Sequence, residues 1–145
     1  MEKEFDHLRL ENQICFLLYA SSREMTKQYK PLLEELDVTY PQYLVLLLLW
    51  EHKQLSVKKL GEQLYLDSGT LTPMLKRMEQ HDLINRKRSE FDERSVTIQL
   101  TDKGQALKNK ASSVPLRIAE IIGNNNNDID TLKSILLNLL ETLRK

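Results

Sequence analysis

Two groups of residues in this chain of 145 have types and spacing that could do chemistry. The first is the single cysteine, Cys15, with Tyr19 one helical turn further on. A thiolate is the reactive form of cysteine, and it needs hydrogen-bond donors or positive charge beside it. A phenol hydroxyl is such a donor, and Tyr29 and Tyr40 could reach the sulfur through folding or dimerisation. Peroxide would convert the thiolate to a sulfenic acid. The chain has no second cysteine. A reversible next step therefore has to come from a small thiol forming a mixed disulfide, from a backbone nitrogen forming a sulfenamide, or from Cys15 of a second copy. Taken alone, a solitary helical cysteine is more often a small buried hydrophobe.

The second group lies between Leu66 and Thr101. Lys76 and Arg77 project from a helical segment that starts near Asp67 and Ser68, and Arg86, Lys87 and Arg88 follow on a short extended run. An arginine on such a helix can contact guanine O6 and N7 together. The hydroxyls of Ser68, Thr70 and Thr72 suit phosphates or base edges near the helix start. Arg94, beside a charged turn, suits the minor groove, where narrow A·T tracts attract guanidinium. Asp92 can orient Arg94 by a charge-assisted hydrogen bond, while Arg86 and Arg88 meet phosphates. Each cation by itself is an ordinary surface charge; their clustering on one helix and one hairpin points to DNA.

Other chemistries lack their residues. His7, His52 and His81 have no metal-ligand spacing, and there is no HExxH, CxxC or glycine-rich phosphate loop. No metal, cofactor or catalytic site is expected.

Elements that could position these groups follow from periodicity. A helix is expected from about Phe5 to Tyr29, with Leu10, Ile14, Leu17 and Leu18 on one stripe. Lys30-Pro31 should interrupt it. Pro41 opens a second helix whose run Tyr43–Trp50 is apolar throughout. Ser56 starts a third helix, Val57–Leu64, and only Tyr65-Leu66-Asp67 separates it from the next, the tight link of a helix-turn-helix. Val96, Ile98 and Leu100 alternate with Ser95, Thr97 and Gln99, the period of a half-buried strand. Thr101 caps a long fifth helix that Pro115 should kink or divide, and Asn127 or Asp128 caps a last helix. There Ile129, Leu132, Leu136, Leu139 and Leu143 form a short heptad seam, and Ile135, Leu137 and Leu140 widen it beyond what one partner helix covers. Broad apolar stripes at both ends of the chain suggest a dimer interface.

The fold class expected is mainly α with a small β-hairpin wing: a winged helix-turn-helix in a single domain over residues 1–145. Within it, 1–39 and 104–145 supply dimerisation helices and 40–103 the DNA-binding region. The net charge is zero, 21 Lys and Arg against 21 Asp and Glu, which argues mildly against nucleic acid. It is unevenly spread: −3 over residues 1–55, +1 over 56–104 and +2 over 105–145. No apolar run approaches the roughly 20 residues of a membrane span, and the charged N-terminus is no signal peptide, so a cytoplasmic location is expected. A dimer would set two recognition helices about 34 Å apart and favour a pseudo-palindromic operator.

The run DERSVTIQLT, Asp92 to Thr101, resembles the D-x-R-x5-L-T wing pattern of the multiple antibiotic resistance regulator (MarR) family. LDSGTLTPMLKRME and QICFLLYASSREMTKQY, with Cys15, are similar to one branch of it, the organic hydroperoxide resistance repressors, one-cysteine type. The likeness extends from about Phe5 to Leu143. It implies a homodimer of winged helix-turn-helix subunits, joined by their first and last helices, that represses peroxide-detoxification genes and leaves DNA when the N-terminal cysteine is oxidised. It also implies that Tyr29 and Tyr40 reach that thiol from the partner subunit. The reactants implied are an organic hydroperoxide and a low-molecular-weight thiol. Two rivals keep other roles open: release by a small aromatic ligand with Cys15 structural, and a one-cysteine thiol peroxidase. The second leaves the basic hairpin unexplained.

Overall fold

The start of the innermost helix is set locally. In the computed structural model, which describes residues 2–92, 94–123 and 126–144, Gln42 N–H donates to Thr39 Oγ1 at 3.3 Å while Thr39 N–H donates to Gln42 Oε1 at 3.1 Å. That capping box satisfies two donors that the first helical turn leaves unpaired. The helix it opens, α2 (Tyr40–His52), buries Tyr43, Val45, Leu46 and Leu49, as its nearly continuous apolar run requires.

Around it the chain runs through two 3-10 turns (Glu2–Leu8 and Leu10–Asn12), α1 (Ile14–Glu34), α2, β1 (Gln54–Ser56), α3 (Val57–Leu64), α4 (Ser68–Gln80), β2 (Ile84–Arg88), β3 (Val96–Leu100), α5 (Asp102–Ala111), α6 (Val114–Ile122) and α7 (Asn126–Leu143). The three strands form one antiparallel sheet in the order β1-β3-β2. No helix among the described residues is long and apolar enough to cross a membrane.

Several expectations need correction. The first helix begins at Ile14 and not near Phe5, because Arg9 and Gln13 are extended and side-chain amides take up the backbone around them. Gln13 Nε2 donates to the carbonyls of His7 and Arg9 at 2.7 and 2.8 Å, and Asn12 Nδ2 to that of Asp6 at 2.6 Å. Pro31 does not interrupt α1, which continues to Glu34. The proline costs one bond near the helix end, and burial of Leu33 and Leu36 offsets it. The strand β1 adds to the elements that periodicity predicts, since three residues are too few to display a period of two. The expected division of the long fifth helix at Pro115 is observed: α5 ends at Ala111, and Pro115 falls in the first turn of α6. The last helix starts at Asn126, ahead of both expected caps.

The chain forms two compact units, one up to Val114 and one from Pro115. In the first, Val45, Leu46 and Leu49 of α2 meet Leu60 of α3, Leu71, Met74, Leu75 and Met78 of α4, and Leu83, Ile84 and Ile98 at the sheet. In the second, α7 leaves Leu132, Ile135 and Leu137 about half exposed.

Two glycines are required by close approach. A Cβ at Gly61 would lie 2.7 Å from the Leu66 carbonyl oxygen, in the turn where Tyr65 takes a left-handed conformation at φ 58° and Leu66 N–H bonds Gly61 O at 3.0 Å. A Cβ at Gly104 would collide with the Leu83 carbonyl oxygen at the base of the wing. Gly104→Ala is therefore expected to destabilise the fold by about 1–3 kcal/mol, read as a lower midpoint in urea. An unchanged midpoint would mean that α5 can draw away from the wing without cost.

Candidate DNA interface and thiol site

The helix-turn-helix is built from α3 and α4. Ser56 caps α3 by accepting from Lys59 N–H at 3.0 Å, and Asp67 caps α4 by accepting from Thr70 N–H at 2.7 Å. Hydrogen bonds from Thr70 hold the Asp67 carboxyl below its ordinary value. Ser68 is thus the first residue of α4 and leaves capping to Asp67. The stripe Leu71, Met74, Leu75 and Met78 is buried. That places Ser68, Thr70, Lys76 and Arg77 on the exposed side, with Thr72 half-buried.

The wing follows directly. β2 pairs with β3 from Ile84↔Leu100 to Arg88↔Val96, with Ile84 buried at the base and Arg86, Lys87 and Arg88 exposed. Sequence reasoning missed Glu79. From the last turn of α4 its Oε1 accepts from Arg86 Nε at 3.2 Å and its Oε2 from Arg86 N–H at 3.3 Å. This fixes the angle between recognition helix and wing, and Arg86 reaches any phosphate already paired. At half-exposed positions such a pair adds only about 0.2–1 kcal/mol, so its value is geometric. Thr101 Oγ1 donates to Asp82 O at 2.6 Å and Lys103 Nζ to His81 O at 2.9 Å, tying α5 to the same corner.

At the wing tip, Asp92 Oδ1 accepts Arg94's backbone N–H at 3.0 Å. The expected orienting bond thus goes to the backbone, where it shapes the turn and not the guanidinium. Ser89, also missed, supplies the other half: its Oγ accepts from Phe91 N–H at 3.2 Å and Asp92 N–H at 3.3 Å. Turn chemistry of this kind is legible in Ser-x-x-Asp only once the hairpin ends are known.

The thiol site is divided. Cys15 is exposed at the start of α1, between Ile14 (68% exposed) and Phe16 and Leu17 (40% and 55%). Tyr19 is one turn away and carries the Arg23 guanidinium 5.2 Å above its ring. Tyr29 packs on Tyr40 with ring centroids 4.7 Å apart, and Tyr43, which the sequence reading passed over, closes the cluster at 6.0 and 6.3 Å. Tyr43 stands three residues after Tyr40, the helical spacing that could have signalled it. Cys15 and Tyr29 lie on one unbroken helix, and fourteen residues of rise set them about 21 Å apart along its axis. The thiol and the Tyr29–Tyr40 pair of one chain cannot meet.

Burial raises the phenol pKa of all three clustered tyrosines, that of Tyr43 to about 12. Each is therefore protonated, and a donor, at neutral pH. A raised value favours the protonated phenol in the folded state. The associated stability is present below the unfolded value near 10 and is lost as pH rises through the raised ones. Absorbance at 295 nm should accordingly show late-ionising tyrosines in the folded protein, the last near pH 12. Tyr43→Phe should remove that last step; titration of every tyrosine near 10 would refute the cluster.

With this geometry in place, comparison with known proteins is informative. Residues 27–111 match the family described as transcriptional regulator SarA/Rot. The chain is 68% identical to the organic hydroperoxide resistance transcriptional regulator of Bacillus subtilis over 145 residues, 100% of this chain and 99% of that one. Reduced AbfR bound to DNA superposes with a TM-score of 0.80 at 38% identity, covering 99% of this chain and 97% of that one. Overoxidised AbfR bound to DNA gives 0.73 at 38%, covering 97% and 99%. AbfR is a protein of Staphylococcus epidermidis.

Proposed function

The chain belongs to the SarA/Rot, MarR-like family of winged-helix transcriptional regulators, and on that premise we propose a redox-sensing repressor that holds a pseudo-palindromic operator as a homodimer until Cys15 is oxidised. Its role is DNA binding and not catalysis. Residues 40–103 carry the DNA contacts through Ser68, Thr70, Thr72, Lys76 and Arg77 on α4 and Arg86, Arg88 and Arg94 on the wing, where Asp92 shapes the turn that presents Arg94. Residues 1–39 and 104–145 supply the dimer contacts, in the cytoplasm where the operator is.

The observation that carries this reading is the position of Cys15: exposed, among exposed apolar side chains, and a helix length away from the Tyr29–Tyr40–Tyr43 cluster. A second copy placed against that face would cover the apolar residues and bring its own Tyr29 and Tyr40 to the thiol. Protonated phenols donating to sulfur would favour the thiolate. The thiolate attacks the distal oxygen of an organic hydroperoxide, the O–O bond breaks, the alkoxide leaves as an alcohol after taking a proton, and Cys15 becomes a sulfenic acid. A small thiol then displaces hydroxide, released as water, to form a mixed disulfide. The bulk of the adduct no longer fits between the tyrosines, and the two recognition helices lose their spacing. An overoxidised AbfR bound to DNA supports giving weight to the size of the adduct over oxidation of sulfur alone.

The test is binding of the reduced protein to its operator, followed by organic hydroperoxide with and without a small thiol. Release with both reagents is expected; an operator complex indifferent to both would refute the proposal. A second reading, release by a small aromatic ligand, has its own feature in a cavity of about 830 Å³ bordered by Pro41, Met74, Arg77 and His81. Ligand-induced release that survives blocking of the thiol would favour it.

A further inference from the structure

The tip of the wing carries an aromatic side chain that the described residues leave bare. Among the described residues, the large apolar side chains exposed outside the two ends of the chain are Leu47, Tyr65 and Phe91. The first two are 39% and 45% exposed, whereas Phe91 is 99% exposed. Its backbone is not loose: Phe91 N–H is held by Ser89 Oγ, Ser89 N–H bonds Ser95 O at 2.8 Å, and Ser95 N–H bonds Asp92 O at 2.9 Å. The phenyl is presented from this hydrogen-bonded stretch, three residues before Arg94 in the sequence.

We propose that Phe91 is a DNA contact: its ring seats in the minor groove beside the Arg94 guanidinium, against sugar walls and base edges, as an apolar wedge. This rests on the regulator reading above and adds a residue and a type of force to it. Glu90 and Asp92 flank the ring and both are exposed; their carboxylates repel phosphates, so the ionic attraction at the tip belongs to Arg94 and the ring's own contribution is non-ionic. Minor-groove proteins use phenylalanine in this way, burying the ring against or between base steps.

The test uses an operator duplex selected from a randomised library by the reduced full-length protein, with Kd measured across a salt series. Phe91→Ala should bind about tenfold more weakly, with the same slope of log K against log salt as wild type, because no ion pair is lost. Arg94→Ala should instead reduce that slope by about one. Phe91→Leu should recover part of the affinity. With 4-fluorophenylalanine at position 91, the fluorine resonance should shift on adding the duplex. Phe91→Ala binding within twofold of wild type, or a resonance unmoved by DNA, overturns the proposal. So does a resonance that answers to a second protein and not to the duplex. A wild-type protein that selects no duplex at all would instead sink the regulator reading itself.

Discussion

Cys15→Ser is expected to bind the operator as tightly as wild type and to stay bound through a challenge with organic hydroperoxide and small thiol that empties the wild-type complex. Serine keeps nearly the size and hydrogen-bonding pattern of the thiol but has no thiolate to attack a peroxide oxygen. The side chain is exposed at the first turn of α1, so the substitution should leave the fold intact. Near-complete switching requires a differential of about 5.5 kcal/mol between the two states, and all of it should vanish with the sulfur. Fluorescence anisotropy of a labelled duplex reads it directly. Release of the serine variant by the same reagents would move the sensor elsewhere in the chain. Release of wild type by hydroperoxide alone would make the thiol adduct unnecessary.

Leu132→Glu together with Ile135→Glu should give a monomer and weaken operator binding by about 10²-fold or more. These side chains are 50% and 57% exposed on α7, too apolar for a helix face that stays in water. Each glutamate would place a charge in a desolvated contact without a partner. The loss at DNA would come through linkage: two half-sites bound by one rigid dimer gain an effective-concentration advantage of about 10²–10⁴ that separate subunits forgo. Light scattering gives the mass and anisotropy the affinity. A dimer that persists with both glutamates would remove α7 from the interface. A monomer that binds with wild-type affinity would remove the pseudo-palindrome.

Much of the helix-turn-helix and wing was legible because its signals are local. Ser56 and Asp67 cap their helices by reaching residues three positions ahead, and Thr101 does the same for α5. The apolar periods of α3, α4 and β3 say which side chains turn inward. The signals failed where a competing interaction came from a few residues away. Gln13 and Asn12 captured carbonyls that an earlier helix start would have used, and burial beyond Pro31 carried α1 past it. At Pro115 the local signal held: α5 ends at Ala111, four residues before the proline, and α6 resumes at Val114.

By itself, then, the sequence determined the order and type of most elements, the basic helix and wing, and the presence of a single cysteine, because propensity, capping and patterning act within a few residues. Only the tertiary structure decided the pairing of Gln54–Ser56 with β3, the Glu79–Arg86 tether that sets the wing against α4, the packing of Tyr43 with Tyr29 and Tyr40, and the bare ring of Phe91. Each depends on which distant residues come within a few ångströms of one another. The separation of Cys15 from those phenols belongs to both levels: fourteen residues on the sequence become a distance only once the helix between them is known to be unbroken.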